Sequence, residues 1–494
     1  MEELSKIVKL VTNSISLNLV LPIANGRLSK EDALYEGIKN GKYITDEAAA
    51  KDLYRSKPND VRYKMLKHRL KKKLYNNLLF LDYNKFGSNN DFIKEQACLL
   101  MLQQAYTLRL NYEFDLVLQL VGKVMAIAQE YEYTNHQVTA LELAVACYSE
   151  KGNLKQFDKT LPLLEEALLK RNLESKAINI FQSVNVNLKK SVTARKRLLP
   201  RLPEMIDTLN ALWQEARTFA SFDAYYKTSI SYYELIGSFE KIVEMTVNAE
   251  TWVEKGVINS LRFKSNYNKF VLVYAHLRNK DYANGLQYAE KYALDFKEGY
   301  INWFPYMENY FLLALHSNQL ELSGILLNKV LSNSSFQKIS NAAKERWSLY
   351  QMYYRLFSLN STIPNNVYIN PYSLSLPEYS KDKLGFNVAI LILQFIYFLQ
   401  KGDSEALLYR IESLKKYILT HLKDAFSLRS KTFLKLLILT VTEDFEADEC
   451  KKKGQKLYQK LIETPPPGDA YAEIEIVPYE HLWKHILSIL ENKS

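Results

Sequence analysis

Amphipathic helical stretches, each followed by a short polar break and a second amphipathic stretch, recur from about residue 92 to about residue 463 of this chain. A chain patterned in this way is constrained to fold as helices laid side by side. Each helix carries one apolar stripe and can bury it only against a neighbour. Sheet-rich alternatives need many tight turns, and 15 Gly and 13 Pro in 494 residues are too few to supply them. The breaks fall at Gly152 and Asn153, at Gly237 and Ser238, at residues 279–281, at residues 317–319, and at Gly402 and Asp403. Gly and Asn tolerate the left-handed backbone at a helix end, and Asn, Asp and Ser can cap the helix that follows.

One unit shows the pattern plainly. Phe270, Val273, Tyr274 and Leu277 share a helical stripe, residues 279–281 turn, and Ala283, Leu286, Tyr288 and Ala289 begin the return helix. The next turn comes about 37 residues later, near the 34-residue period of tetratricopeptide repeats. Tyr274, Ala275, Tyr282, Ala283, Ala289 and Tyr292 fill part of the tetratricopeptide pattern. On these residues about three quarters of the chain resembles the tetratricopeptide-like (TPR-like) helical superfamily. The resemblance implies an all-α fold, an α-solenoid of stacked TPR-like hairpins, and a role in binding one or more other proteins. Residues 91–464 are expected to form the array, with an irregular Pro- and Asn-containing insertion at 360–381. Residues 465–494 are expected to form an extended segment and a C-terminal capping helix.

Residues 1–90 do not share that spacing. They predict a small helical head with helices over 30–40, 45–54 and 59–81, bounded by Thr45 and by the Ser56-Lys57-Pro58 break. In the third of these, Tyr63, Leu66, Leu70, Leu74 and Leu78 form an apolar stripe. Arg62, Lys64, Lys67, Arg69, Lys71, Lys72 and Lys73 surround it. Two short helices before a longer basic one resemble a helix-turn-helix unit, which implies contact of these seven cations with nucleic acid or an acidic partner. The bland alternative is a solvated face on an amphipathic helix. The segments around residues 41–54 and 63–82 also resemble uncharacterised bacterial proteins that join such a head to a TPR-like array. A second basic run, residues 189–201, either extends a cationic surface or flanks a turn. The overall excess, 65 Lys and Arg against 55 Asp and Glu, gives a formal charge of +10.

No catalytic motif can be placed. Neither GxxxxGK[ST] nor GxGxxG occurs, which argues against a nucleotide-binding loop. His481 and His485 stand at i, i+4, but Leu482 follows His481 where an HExxH motif needs Glu, so they are read as exposed or capping side chains. No cofactor, metal or small-molecule substrate is expected, and the chain is read as a non-enzyme. Cys98, Cys147 and Cys450 are too widely separated for a disulfide framework and predict buried thiols in a reducing, cytoplasmic setting. The apolar run at 388–399 is shorter than the roughly 20 residues that a membrane-spanning helix needs. The 35 Tyr, 22 Phe and 5 Trp cluster on first helices of hairpins. Tyr232, Trp303, Tyr306, Tyr310, Tyr350 and Tyr354 are therefore candidate partner-binding aromatics, although most aromatics at helical spacing fill cores.

Overall fold

The computed structural model describes residues 1–14, 29–83, 90–190, 192–357, 386–421, 428–464 and 475–492. The insertion expected at 360–381 and most of the extended segment expected after residue 464 lie outside these residues. The described residues are helical throughout, with no strand among them. They fall into two compact units, Met1–Asn172 and Leu173–Ser494.

The first unit opens with four helices: α1 (Glu2–Ser14), α2 (Lys30–Lys39), α3 (Asp46–Tyr54) and α4 (Val61–Asn77). Ser29 and Asp32 form a reciprocal capping box at the start of α2, and Thr45 Oγ1 caps α3 by accepting from the Ala48 amide. The helices share a core of their own, in which Leu34, Tyr35, Tyr63, Leu66, Leu70 and Leu74 are buried. Gly37 is required there, because a Cβ would overlap the Tyr43 ring. The unit continues with α5 (Asn90–Leu110), α6 (Phe114–Glu130) and α7 (Thr134–Glu150), packed each on the next and α5 also on α7.

The division between units falls inside α8 (Leu154–Lys190), whereas the sequence pattern places its boundary near residue 90. That helix runs unbroken through Pro162. The second unit continues with α9 (Val192–Leu198), α10 (Leu202–Ala216), α11 (Phe219–Ile236), α12 (Phe239–Glu254), α13 (Ser265–Arg278) and α14 (Tyr282–Lys291). Then come α15 (Trp303–His316), α16 (Leu320–Leu331), α17 (Asn341–Phe357), α18 (Phe386–Lys401) and α19 (Ser404–His421), followed by α20 (Leu428–Thr442), α21 (Ala447–Glu463) and α22 (Tyr479–Glu491). From α10 onward consecutive helices pack together, and α13 with α15 and α18 with α20 add contacts between alternate helices. The apolar run at 388–399 is a buried core helix, α18, and no helix among the described residues is long and apolar enough to cross a membrane.

One turn chemistry recurs at eight of the junctions between these helices. The amide two or three residues past the last helical residue donates back to a carbonyl in the last turn, closing the 6→1 bond of a Schellman motif. It recurs from Glu113 to Leu108, Tyr133 to Ala128, Asn153 to Tyr148, Ser238 to Tyr233, Asp281 to His276, Gln319 to Ala314, Asp403 to Phe398 and Phe445 to Thr440, at 2.8–3.2 Å. The first three carbonyls are evenly spaced along the chain. The residue that must enter the left-handed region is Gly at 152, 237 and 402 and Asn or Asp at 318 and 444, but Tyr112, Glu132 and Lys280 at the equivalent turns. Packing therefore imposes the turn even where the local sequence does not favour it. All five breaks read from the sequence are turns between helices.

Candidate interaction surfaces

The seven cations of α4 stand opposite the apolar stripe as expected, and five of them are engaged within the head. Arg62 pairs with Asp60, its N-cap, at 2.7 Å and lies over the Tyr54 ring. Lys67 reaches Asp46 at 2.7 Å, where Tyr63 Oη also donates at 2.7 Å. Arg69, at 3.1 Å, and Lys73 both bond Glu31, whose side chain is 12% exposed, and Lys71 bonds Glu3 at 2.7 Å. Lys64 and Lys72 are exposed and form no ion pair among the described residues. Burial alone would raise the Asp46 carboxyl, but Lys67, Tyr63 and the Met1 amine outweigh it and hold the group down to about 2. The arrangement is a cationic helix whose charges are largely ion-paired while most of its paired side chains stay exposed, Arg62 and Arg69 by more than half. In the second basic run, Arg195 Nε donates to the Leu188 carbonyl at 2.6 Å.

Burial separates the candidate aromatics. Trp303, Tyr306, Tyr350 and Tyr354 are all under a tenth exposed in one continuous core, where the hydroxyls of Tyr306 and Tyr350 find hydrogen-bond partners. Tyr306 Oη donates to the Ala289 carbonyl, Tyr350 Oη donates to Glu308 at 2.6 Å, and the Tyr354 hydroxyl sits against Gly324. Tyr232 is half-buried against Leu235, Leu198 and Leu202. The physical reason is ordinary: an aromatic at helical spacing inside a stack finds another helix on its side rather than water. Tyr310, though only 7% exposed, lines a groove of about 930 Å³ beside α14 and α16, together with Tyr282, Leu286, Gln287, Glu290 and Gln319.

His481 and His485 are half-buried rather than exposed. His485 packs against the Phe357 ring at 4.8 Å, and both line a cavity of about 370 Å³ with Val477 and Leu315. Burial lowers the basicity of both. No group of three or more His, Cys, Asp or Glu side chains that could hold a metal ion occurs among the described residues. The three cysteines are free, buried thiols, and burial pushes Cys98 and Cys450 up to about 11.

The sequence reading missed the most concentrated polar cluster in the second unit. Arg429, near the start of α20, is 2% exposed. Its Nε donates to Glu475 Oε1 at 2.5 Å, and its Nη2 reaches Glu475 Oε2 at 3.0 Å and Glu480 Oε2 at 2.9 Å. Its Nη1 donates to the Leu461 and Thr464 carbonyls at 2.5 and 2.7 Å. One guanidinium thus satisfies two carboxylates and the end of α21, which its fork of donors suits better than an ammonium. Glu480 also accepts from Lys280, in the α13–α14 turn, at 2.9 Å. Burial opposes ionisation of Glu480, but Arg429 and then Lys280 hold its carboxyl below the usual range. These partners are far apart in sequence and have no shared period, so no local signal could have assembled them. No family model, curated protein or solved structure matches this chain.

Proposed function

We propose that the chain is a non-enzymatic scaffold of the TPR-like type, an α-solenoid whose hairpins present a docking surface to another protein. The observation that carries this reading is the repeated Schellman-closed turn between helices that pack on their neighbours, with alternate helices also in contact. Such units build an extended surface, and the groove beside α14 and α16 offers aromatic, amide and charged groups along it. A nucleic-acid-associated role for the head is less well supported, because five of the seven α4 cations are already ion-paired with Glu3, Glu31, Asp46 and Asp60.

The test uses exposed groove residues that the core does not need. The purified chain should capture a stoichiometric protein partner. The combined substitution Gln287→Arg, Glu290→Lys and Gln319→Arg should abolish that capture while leaving the melting temperature unchanged. Capture that survives the triple substitution, or no partner at all, counts against the reading.

A further inference from the structure

The C-terminal segment of the second unit packs as a ligand does. Residues 475–491 present carboxylates and one amphipathic helical face to α21, which precedes them, and to elements that are distant from them in sequence. Helix α22 packs on α18, α20 and α21. Ahead of it, the Ile476 carbonyl lies 3.0 Å from His316 Nε2 at the end of α15, and Glu480 bonds Lys280 in the α13–α14 turn. Tyr479 stacks on Phe433 of α20 with ring centres 4.6 Å apart, and its hydroxyl lies 3.0 Å from Ser430 Oγ. Ile476, Leu482, Trp483 and Ile486 are buried at 3% exposure or less. Specificity comes from charge: Arg429 grips Glu475 with two donors and Glu480 with a third, and Lys280 holds the second carboxylate from the other side.

We propose that this face of the array is a docking site for an acidic, amphipathic helix of a partner protein, and that residues 475–491 occupy it in cis until displaced. The proposal rests on the scaffold reading and names the partner's chemistry. The occupant in place defines what fits: two carboxylates flanking an aromatic, followed by an apolar pair and a further apolar residue one turn later, as in Glu475, Tyr479, Glu480, Leu482, Trp483 and Ile486. A buried guanidinium accepts a planar carboxylate in two-point geometry and strongly disfavours a neutral amide in its place. The short covalent connection gives the resident helix an effective concentration on the order of millimolar, so a competitor must match its contacts and add some of its own. This is recognition of an amphipathic helix by a groove, with a charged anchor at the helix start.

Two measurements test it. In the intact chain, hydrogen exchange should show the amides of α22 opening at least tenfold faster than those of α18 and α20, because a displaceable segment leaves without unfolding its site. Equal rates would make α22 an inseparable part of the core and overturn the proposal. In the second, a protease site is placed within residues 465–474 of the full chain, which is then cut and mixed with a fluorescent peptide of residues 475–491. The peptide should exchange into the cut protein, and its E475Q/E480Q form should bind at least tenfold more weakly. The substitution sits on the peptide, so folding of the array is not in question. No exchange into cut protein that keeps the melting curve of the intact chain, or equal binding of both peptides, would overturn the proposal. Neither measurement involves Gln287, Glu290 or Gln319, so failure of the groove reading is scored separately.

Discussion

Gly324 of α16 and Tyr354 of α17 meet so closely that a Cβ on the glycine would overlap the tyrosine hydroxyl. The glycine therefore serves close approach of two helices, and no turn needs it there. Gly324→Ala gains helix propensity but forces Tyr354, which is 6% exposed, out of its place. We expect a net loss of about 1–3 kcal/mol in denaturant unfolding. Tyr354→Phe in the same chain should restore part of it, because the nearest overlapping atom is then gone. A double substitution no more stable than Gly324→Ala alone would disprove the steric account.

Asp46 gives the head a pH dependence of known sign. Its carboxyl sits at about 2 in the folded chain, below its ordinary value, so its stabilising contribution is complete above about pH 4 and is lost as pH falls toward 2. The pair with Lys67 is partly exposed, and solvent screening limits the effect to roughly 1 kcal/mol. Asp46→Asn should remove that part of the acid sensitivity. Melting curves at pH 2.5 and pH 6 check it: the gap between the two pH values should narrow in the variant.

Because five of the α4 cations are already paired, the chain is expected to pass duplex DNA at physiological salt without retention. Release of counterions needs cations that are free to replace them. Glu31→Gln removes the partner of both Arg69 and Lys73 and should create weak, salt-sensitive retention. Retention of the unaltered chain that weakens when Lys67, Arg69, Lys71 and Lys72 become Ala would instead return the helix-turn-helix resemblance to favour.

These residues mark the limit of what could be read in advance. Break positions such as Gly152, Gly237 and Gly402 were legible because backbone chemistry is local, and the apolar stripe of α4 was legible because its period is local. Thr45 was likewise placed as a cap. Tyr306 and Tyr350 were not assignable to core or surface, since helical spacing gives a face without saying what lies opposite it. The length of α8 was not legible either, since nothing in the spacing marks a helix that continues through Pro162. Glu31 and Arg69 show the same limit in the head: seven cations on one helix look like an open surface until their partners are placed. Arg429 is the clearest case, because a lone arginine in the first turn of an apolar helix says nothing about two glutamates beyond the next helix.

The same arginine gives the strongest expected single-site effect. Arg429→Met fills similar volume but leaves Glu475 and Glu480 with side chains only 15% and 16% exposed and without their main partner. Breaking a buried pair from one side costs about 3–5 kcal/mol, more than removing both charges together. The triple variant Arg429→Met, Glu475→Gln and Glu480→Gln should therefore be more stable than the single one. The pH response should also invert. In the unaltered chain Glu480 is held below its ordinary range, so its contribution is present above about pH 4.5 and is lost as acid protonates it. In Arg429→Met, Glu480 loses the larger of the two cations that oppose its burial and keeps only Lys280, so stability should fall as pH rises from 5 to 8. Thermal melts of the three chains at both pH values decide the matter, and an Arg429→Met chain that is as stable at pH 8 as at pH 5 would show that the guanidinium is not what keeps Glu480 charged.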